Sequence, residues 1–276
     1  MVIMSTIKMD KNEKAIFSIS FLSFLTSLLL VRMSGFSSSS MVNLENYIVR
    51  SLTLQTSTNT FSTVYTFLSP FNMIFLALVF FVLGISILSY YGYKKNNEDL
   101  GKLLGIVSAV FTLILFPTIM GVFIAISIIF CCIYSPKLSS MYSKELEKWV
   151  FFRTGSNTTG KILFIVNIII LIGVFVTVSA NQQAYEASFS QDITESMRAI
   201  ALRLPGASSI PSQTLDERLA SAVQSSPLIN SYIVWLPVTT AFTIWVILEF
   251  LRIILLANIG GIFTYIMLKR GNRHHE

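Results

Sequence analysis

LLGIVSAVFTLILFPTIMGVFIAISIIFCCIY, residues 103–134, is one uninterrupted apolar run. As a single α-helix it would reach nearly 50 Å at about 1.5 Å per residue, well beyond a hydrocarbon core of about 30 Å. Pro117 and Gly121 sit at its centre, where a proline lacks the amide a helix needs and a glycine eases a turn. The stretch therefore reads as a tight hairpin of two short spans. A re-entrant loop at the same place gives the same sidedness.

Lysine placement supports the hairpin, because basic residues are retained on the cytoplasmic side near the ends of spans. With two crossings here, all eleven lysines are cytosolic: Lys8, Lys11, Lys14, Lys94, Lys95, Lys102, Lys137, Lys144, Lys148, Lys161 and Lys269. The outer segments, residues 32–69 and 181–236, have none. A single crossing would carry Lys137, Lys144, Lys148, Arg153 and Lys161 to the outside, against that bias.

The composition fits a chain solvated by lipid. Of 276 residues 53% are hydrophobic and 12% charged, with a mean hydropathy of +0.69, whereas soluble domains carry roughly 25% charged residues. Besides the hairpin, long apolar runs occupy residues 15–31, 70–91, 162–180 and 232–268. The first follows a charged stretch, as a secretory signal does, but no small-x-small cleavage site comes after it; it reads as an uncleaved span. The last run is too long for one crossing. Tyr65 and Phe67 precede Pro70, and Tyr232 and Trp235 precede Pro237, each an aromatic belt before a proline suited to a first helical turn. The final span is thus expected over residues 237–256. Residues 257–268, with Gly260 and Gly261, then form an interfacial or partly re-entrant segment before Lys269, Arg270 and Arg273; a seventh span would put that basic tail outside.

The expected fold class is an all-α integral membrane protein in the cytoplasmic membrane, a bundle of about six transmembrane helices with both termini cytosolic. Residues 1–14 form a cytosolic tail. Residues 15–180 hold spans one to five, the outer segment 32–69 and a cytosolic interfacial helix at 139–153, where Lys144, Lys148 and Arg153 mix with Trp149, Phe151 and Phe152. Residues 181–236 form an outer helical segment and 237–276 the last span, interfacial segment and tail. The outer segments predict a small extracytoplasmic helical cap. Tyr185, Phe189, Ile193, Met197, Ile200 and Leu204 make one apolar stripe, on a rod continuing the fifth span as far as the stop signal Pro205-Gly206. Thr214-Leu215-Asp216-Glu217 has capping-box spacing, with Leu215, Leu219 and Val223 on one face. Met41, Leu44, Ile48 and Leu52 suggest a further helix. These stripes bury against one another, lie on lipid, or dock another subunit.

Polar residues inside the apolar runs are the candidate sites. Glu249 and Arg252 come three apart, on one helix face. A lone charge at mid-membrane costs roughly 2.5–3.5 kcal/mol on insertion scales, so the two are either part of an ion or substrate path or a structural pair closing a helix interface. A span starting at Tyr232 would bring them to the inner headgroups instead. Asn72 and Asn167 are intramembrane amides of the kind that bridge helices. Ser20, Ser23 and Ser27 share a face, and Gly105 with Ala109, Gly121 with Ala125 and Ala257 with Gly261 have the small-xxx-small spacing of close helix contacts. Cys131 and Cys132 read as small apolar filling, with reversible acylation as the alternative.

GSNTTGK, residues 155–161, has the G-x-x-x-x-G-K spacing of a phosphate-cradling loop. Ile162 stands where a magnesium-binding hydroxyl is required, and an apolar span follows, so no nucleotide site is expected. The sequon Asn157-Thr158-Thr159 falls on the cytosolic side, where it is not glycosylated. The histidines, His274 and His275, lie at the extreme tail, which leaves no histidine for an intramembrane haem or metal. No pair of intramembrane carboxylates is available for acid and base roles. No cofactor and no nucleic-acid partner is expected. The sequence points to a non-enzymatic subunit, assembly factor or structural component of a membrane complex, with the bilayer and other membrane subunits or a second copy as partners. A small permease or channel is the alternative, helped by a weak echo between the two ends of the chain. A sensor relaying a signal from the outer cap lacks any recognisable cytosolic output domain.

Overall fold

The computed structural model describes residues 9–35, 38–42, 71–95, 99–202 and 212–272. Regular structure among them is entirely helical. In chain order the elements are α1 (Lys11–Met33), α2 (Ser38–Val42), α3 (Asn72–Lys94), α4 (Asp99–Leu115), α5 (Ile119–Glu145), α6 (Val150–Ala180), α7 (Gln182–Ala201), α8 (Ser212–Ser225), α9 (Pro227–Leu251), a π-helical turn (Arg252–Leu256) and α10 (Ala257–Asn272). Five helical stretches are long and apolar enough to cross a membrane: α1, α3, α5, α6 and the continuous Pro227–Arg270. This is the length and composition of a membrane protein. At 17 residues α4 reaches about 25 Å and falls short of the same measure.

Side chains are sorted as in lipid. Helix α1 buries Ser20, Ser23 and Ser27 along with Phe24 and Leu28, while Ile19 and Leu22 face outward, Leu22 at 61% exposed. Helix α4 buries Gly105, Ser108, Ala109 and Thr112 and turns out Ile106, Val110 and Ile114, the last 67% exposed. In water such a pattern would forgo about 1.5–3 kcal/mol for each large apolar side chain left outside. In hydrocarbon that cost vanishes, and small residues gather inside because they let backbones approach.

The residues divide into two compact units. The first comprises α1, α3 from Met73, α4, α5, α6 as far as Ile170, and the last helix from Trp245. Its centre holds Phe24, Leu88, Tyr91, Leu104, Ile128 and Ile162, with both cysteines fully buried among them. That placement suits space-filling and denies an acylating enzyme access.

The 103–134 run is two helices, as the proline predicts. Helix α4 stops at Leu115, and Thr118, in extended backbone, opens α5 by accepting from the Gly121 amide at 3.1 Å. Arg32 donates to the Leu115 carbonyl at 3.1 Å, placing a cation on the negative end of α4. The hairpin then packs tightly: Gly101 lies against the Cys132 carbonyl, and a Cβ on Gly105 would sit 3.2 Å from Ile129 Cα. Pro136, inside α5, has no amide for that Cys132 carbonyl four residues back, and the bare Gly101 backbone fills the space. Helices α3 and α5 touch at Gly92 and Pro136, where any Cβ on Gly92 would overlap the Pro136 backbone. Nearby, Ser139 donates its hydroxyl to the Ser89 carbonyl at 2.6 Å.

Contacts between helix ends gather the basic residues. Lys95 at the end of α3 reaches Glu13 at 3.4 Å and Asp10 at 3.6 Å, at the start of α1, and Tyr91 donates to the same Glu13 at 3.1 Å. Tyr93 meets Phe151 of α6 edge-on at 5.6 Å, and Phe152 lies against Gly261 of α10. One end of this unit therefore carries Lys94, Lys95, Lys102, Lys144, Lys148, Arg153 and Lys269.

The second unit spans residues 34–72 and 171–244. In it α7 packs on α8 and on α2. Phe189 of the expected stripe is buried and stacks on Tyr232 at 5.2 Å. Leu215 and Val223 are buried on the facing side, and Arg198 pairs with Asp216 at 3.2 Å. Ile200 stays exposed.

Several helix boundaries differ from expectation. The interfacial helix at 139–153 is absent: α5 continues to Glu145, residues 146–149 turn, and α6 starts at Val150. Trp149 makes that turn with a left-handed φ of 55°. The rod through α6 and α7 breaks at Asn181, whose side-chain amide donates to the Thr177 carbonyl at 3.2 Å and so competes with the helical ladder. Helix α8 starts at Ser212, two residues before the capping-box Thr214. Helix α9 starts at Pro227, not Pro237, which lies within it. Ser226 accepts from the Ile229 amide at 3.4 Å, so Ser226-Pro227 supplies the cap and first-turn proline. The Leu44, Ile48 and Leu52 stripe, the Tyr65, Phe67 and Pro70 belt, Leu204 with Pro205-Gly206, and Arg273 with His274 and His275 lie outside the described residues.

Gly92→Ala should lower stability in detergent by about 1–3 kcal/mol, the usual range for overpacking. Gly160→Ala, whose Cβ would meet Ala257 at an ordinary 3.6 Å, should be neutral or stabilising, as expected for glycine replaced within a helix. Thermal melts of the two variants in one detergent check the contrast.

Candidate functional site

Thr159, Asn167, Glu249, Arg252 and Thr264 of the first unit meet on the seam between α6 and the last helix. These run antiparallel: Gly155 lies against Thr264, Thr159 against Gly260, Gly160 opposite Ala257, and Asn167 against Glu249. Small residues make this possible, because a Cβ on Gly155 or Gly260 would overlap the facing threonine. GSNTTGK is thus about two turns of helix packed on another helix. Its backbone amides are committed to the α6 ladder, and Thr158 and Thr159 are fully buried, so it has no phosphate-cradling form here.

At the far end of this seam sits a closed charge cluster. Arg252 donates from Nε to Glu249 Oε1 at 2.9 Å, and its Nη2 bonds the same oxygen. Asn167 Nδ2 donates to the other oxygen, Oε2, at 2.9 Å. Arg252 Nη1 reaches the Gly160 carbonyl at 3.3 Å, and the guanidinium lies over the Phe164 ring at 5.5 Å. The Glu249 side chain is 13% exposed and that of Arg252 21%, while their neighbours Phe250, Ile253 and Ile254 face outward. The face of the last helix that carries charge is turned toward α6.

The π turn begins at Arg252. The Ala257 amide donates to the Arg252 carbonyl, five residues back, so the helix takes in one extra residue at this point. In an α-helix each residue advances the face by about 100°. The wider turn resets that phase between Glu249 and Arg252 on one side and the Ala257, Gly260, Gly261 and Thr264 edge on the other, and both edges meet α6.

The predicted residues separate accordingly. Glu249, Arg252 and Asn167 come together, and Ala257 and Gly261 lie on the same seam. Gly105, Ala109, Gly121 and Ala125 belong to the α4–α5 hairpin, with Gly121 held against the Phe116 carbonyl. Ser20, Ser23 and Ser27 are buried on α1, where Ser23 donates to the Ile19 carbonyl at 2.8 Å. Asn72 is the first residue of α3, with an exposed side chain. Gly92, Gly101, Gly155 and Gly260 are further packing positions, outside the small-residue pairs expected from spacing. Gly155 and Thr159 do have small-xxx-small spacing, a local signal for the first of them.

The chain matches no family model, no curated protein and no solved structure. Its chemistry is therefore read from the cluster itself, whose charges and amide are spent on one another.

Removing one member should cost more than removing both charges. Arg252→Met alone strands the Glu249 carboxylate and should destabilise by about 3 kcal/mol, whereas Glu249→Leu with Arg252→Met should recover most of that loss. Equilibrium unfolding of the two single variants and the double variant in one detergent completes the cycle.

Proposed function

We propose that this chain is a non-enzymatic structural or assembly subunit of a membrane complex, crossing the cytoplasmic membrane six times with both termini in the cytosol. The observation that carries the reading is the closure of the Glu249 cluster. Both carboxylate oxygens, all three guanidinium nitrogens and the Asn167 amide have partners within the chain. A solute path needs polar groups free to exchange partners, and a structural clamp does not.

The six-span count takes α4 as a short crossing. Its outward Ile106, Val110 and Ile114 and the sharp break before α5 support that, and a bilayer accommodates a helix a few Å short by thinning locally. The basic end of the first unit is then cytosolic by the positive-inside bias. If α6 enters hydrocarbon at Ile162, after the exposed Lys161, Asn167 lies about 8 Å inside at 1.5 Å per residue, in the inner half of the membrane. Glu249 is level with it. On that map Ile200, Leu202 and Leu228 are exposed apolar side chains outside the hydrocarbon, Leu228 the most of them, which supports a protein partner on the outer side.

A permease or channel is the second reading, favoured by the π turn beside the charges, since such turns recur at functional sites. Glu249→Gln separates the two. In reconstituted vesicles the variant should leave ion and proton flux at the wild-type level; a severalfold drop would favour transport.

Isolation in mild detergent should yield the chain in a stable complex with another membrane protein, whereas a lone monomer with no companion would count heavily against a subunit role. Single-cysteine labelling in the Cys131→Ala, Cys132→Ala background should find position 144 closed to an impermeant reagent in intact cells and open in inverted vesicles. Labelling of intact cells at that position would overturn the topology.

A further inference from the structure

Trp149 is the one residue outside glycine in left-handed backbone conformation among the described residues, and its side chain is 79% exposed. Both features are unfavourable for the chain by itself, because a Cβ crowds the following carbonyl at positive φ and a bare indole in water gains nothing. The neighbouring aromatics are accounted for: Phe151 meets Tyr93, and Phe152 covers Gly261. Of these three aromatics Trp149 alone is turned out.

Charge around it supplies the complement. Lys144, Lys148 and Arg153 are exposed and form no ion pair among the described residues, whereas Lys95 is held by Asp10 and Glu13, Lys102 by Asp99, and Lys94 and Lys269 lie over Tyr90 and Tyr265. Glu145 and Glu147 are exposed in the same turn and leave it with a small positive excess. An exposed indole with a polar edge, within five residues of those three cations in the chain and at the end of a membrane bundle, has the chemistry of the phospholipid headgroup layer.

We propose that the α5–α6 turn is a docking site for anionic phospholipid headgroups, with Trp149 anchored in the interface and Lys144, Lys148 and Arg153 meeting the phosphates. The left-handed turn is what points the indole away from the bundle and into the lipid. The proposal rests on the membrane character of the protein and on neither its sidedness nor its subunit role.

Replacing Trp235 and Trp245 by Phe leaves Trp149 as the sole tryptophan. Reconstituted into phosphatidylcholine vesicles containing brominated phosphatidylglycerol, its fluorescence should be quenched at least twofold more than with the same fraction of brominated phosphatidylcholine. The preference should disappear in K144Q/K148Q/R153Q and survive in K137Q/K161Q. Equal quenching by the two lipids, or equal loss in both charge variants, would reduce the site to the general positive charge of that end and overturn it. No quenching by either lipid would overturn it too, since the indole would then face water or a protein partner. Should the Phe variants fail to fold, a spin label on the Trp149→Cys variant in the Cys131→Ala, Cys132→Ala background reports the same depth by relaxation agents. A label at headgroup depth is the expected result, and one exposed to water would overturn the proposal equally.

Discussion

Inside hydrocarbon no water is available to receive a polar group, and that constraint organises the first unit. A serine, threonine, amide or charge placed in a span has to find its partner within the protein: Ser23 and Thr112 bond the carbonyl four residues back in their own helix, whereas Glu249, Arg252 and Asn167 meet across two helices that must come close enough to bring them together. Glycine is the residue that permits the approach. The Gly92–Pro136, Gly101–Cys132 and Gly155–Thr264 contacts are three solutions of the same problem, each putting bare backbone where a side chain would hold two helices apart.

The Glu249 cluster follows from that constraint. A carboxylate and a guanidinium in a span are tolerable when each neutralises the other and a third group takes up the remaining hydrogen-bonding capacity. Here Asn167 and the Gly160 carbonyl do so, and both come from α6, which the small-residue seam has already brought to contact distance. Packing and electrostatics are therefore one feature. The glycines set the distance at which the charges are satisfied, and the charges fix which stretch of α6 lies against which stretch of the last helix.

Much of this was legible in the sequence. The length of residues 103–134 against the thickness of a bilayer, with Pro117 at the middle, gave the α4–α5 break. The spacing of Glu249 and Arg252 gave their shared face, and the serine stripe of α1 gave its buried side. Helix ends were less legible, because a proline in a membrane helix does not have to be a start. Pro237 is carried inside α9, while Ser226-Pro227 supplies the beginning. The turn at 146–149 carries no local signal, since none of its residues is a glycine or proline. The partnership of Asn167 with Glu249 joins residues far apart in the chain, and no local pattern encodes it. The packing use of Gly155 is different, since Gly155 and Thr159 lie four apart and the local spacing does carry it.

The π turn fixes the phase of the last helix. A helix that must keep two edges against the same neighbour is intolerant of single-residue insertions and deletions, since each rotates everything beyond it by about 100°. The surplus residue held at 252–256 is what lets the charged edge and the glycine edge both face α6. Deleting one residue there would restore a regular ladder and swing one of the two edges off its partner.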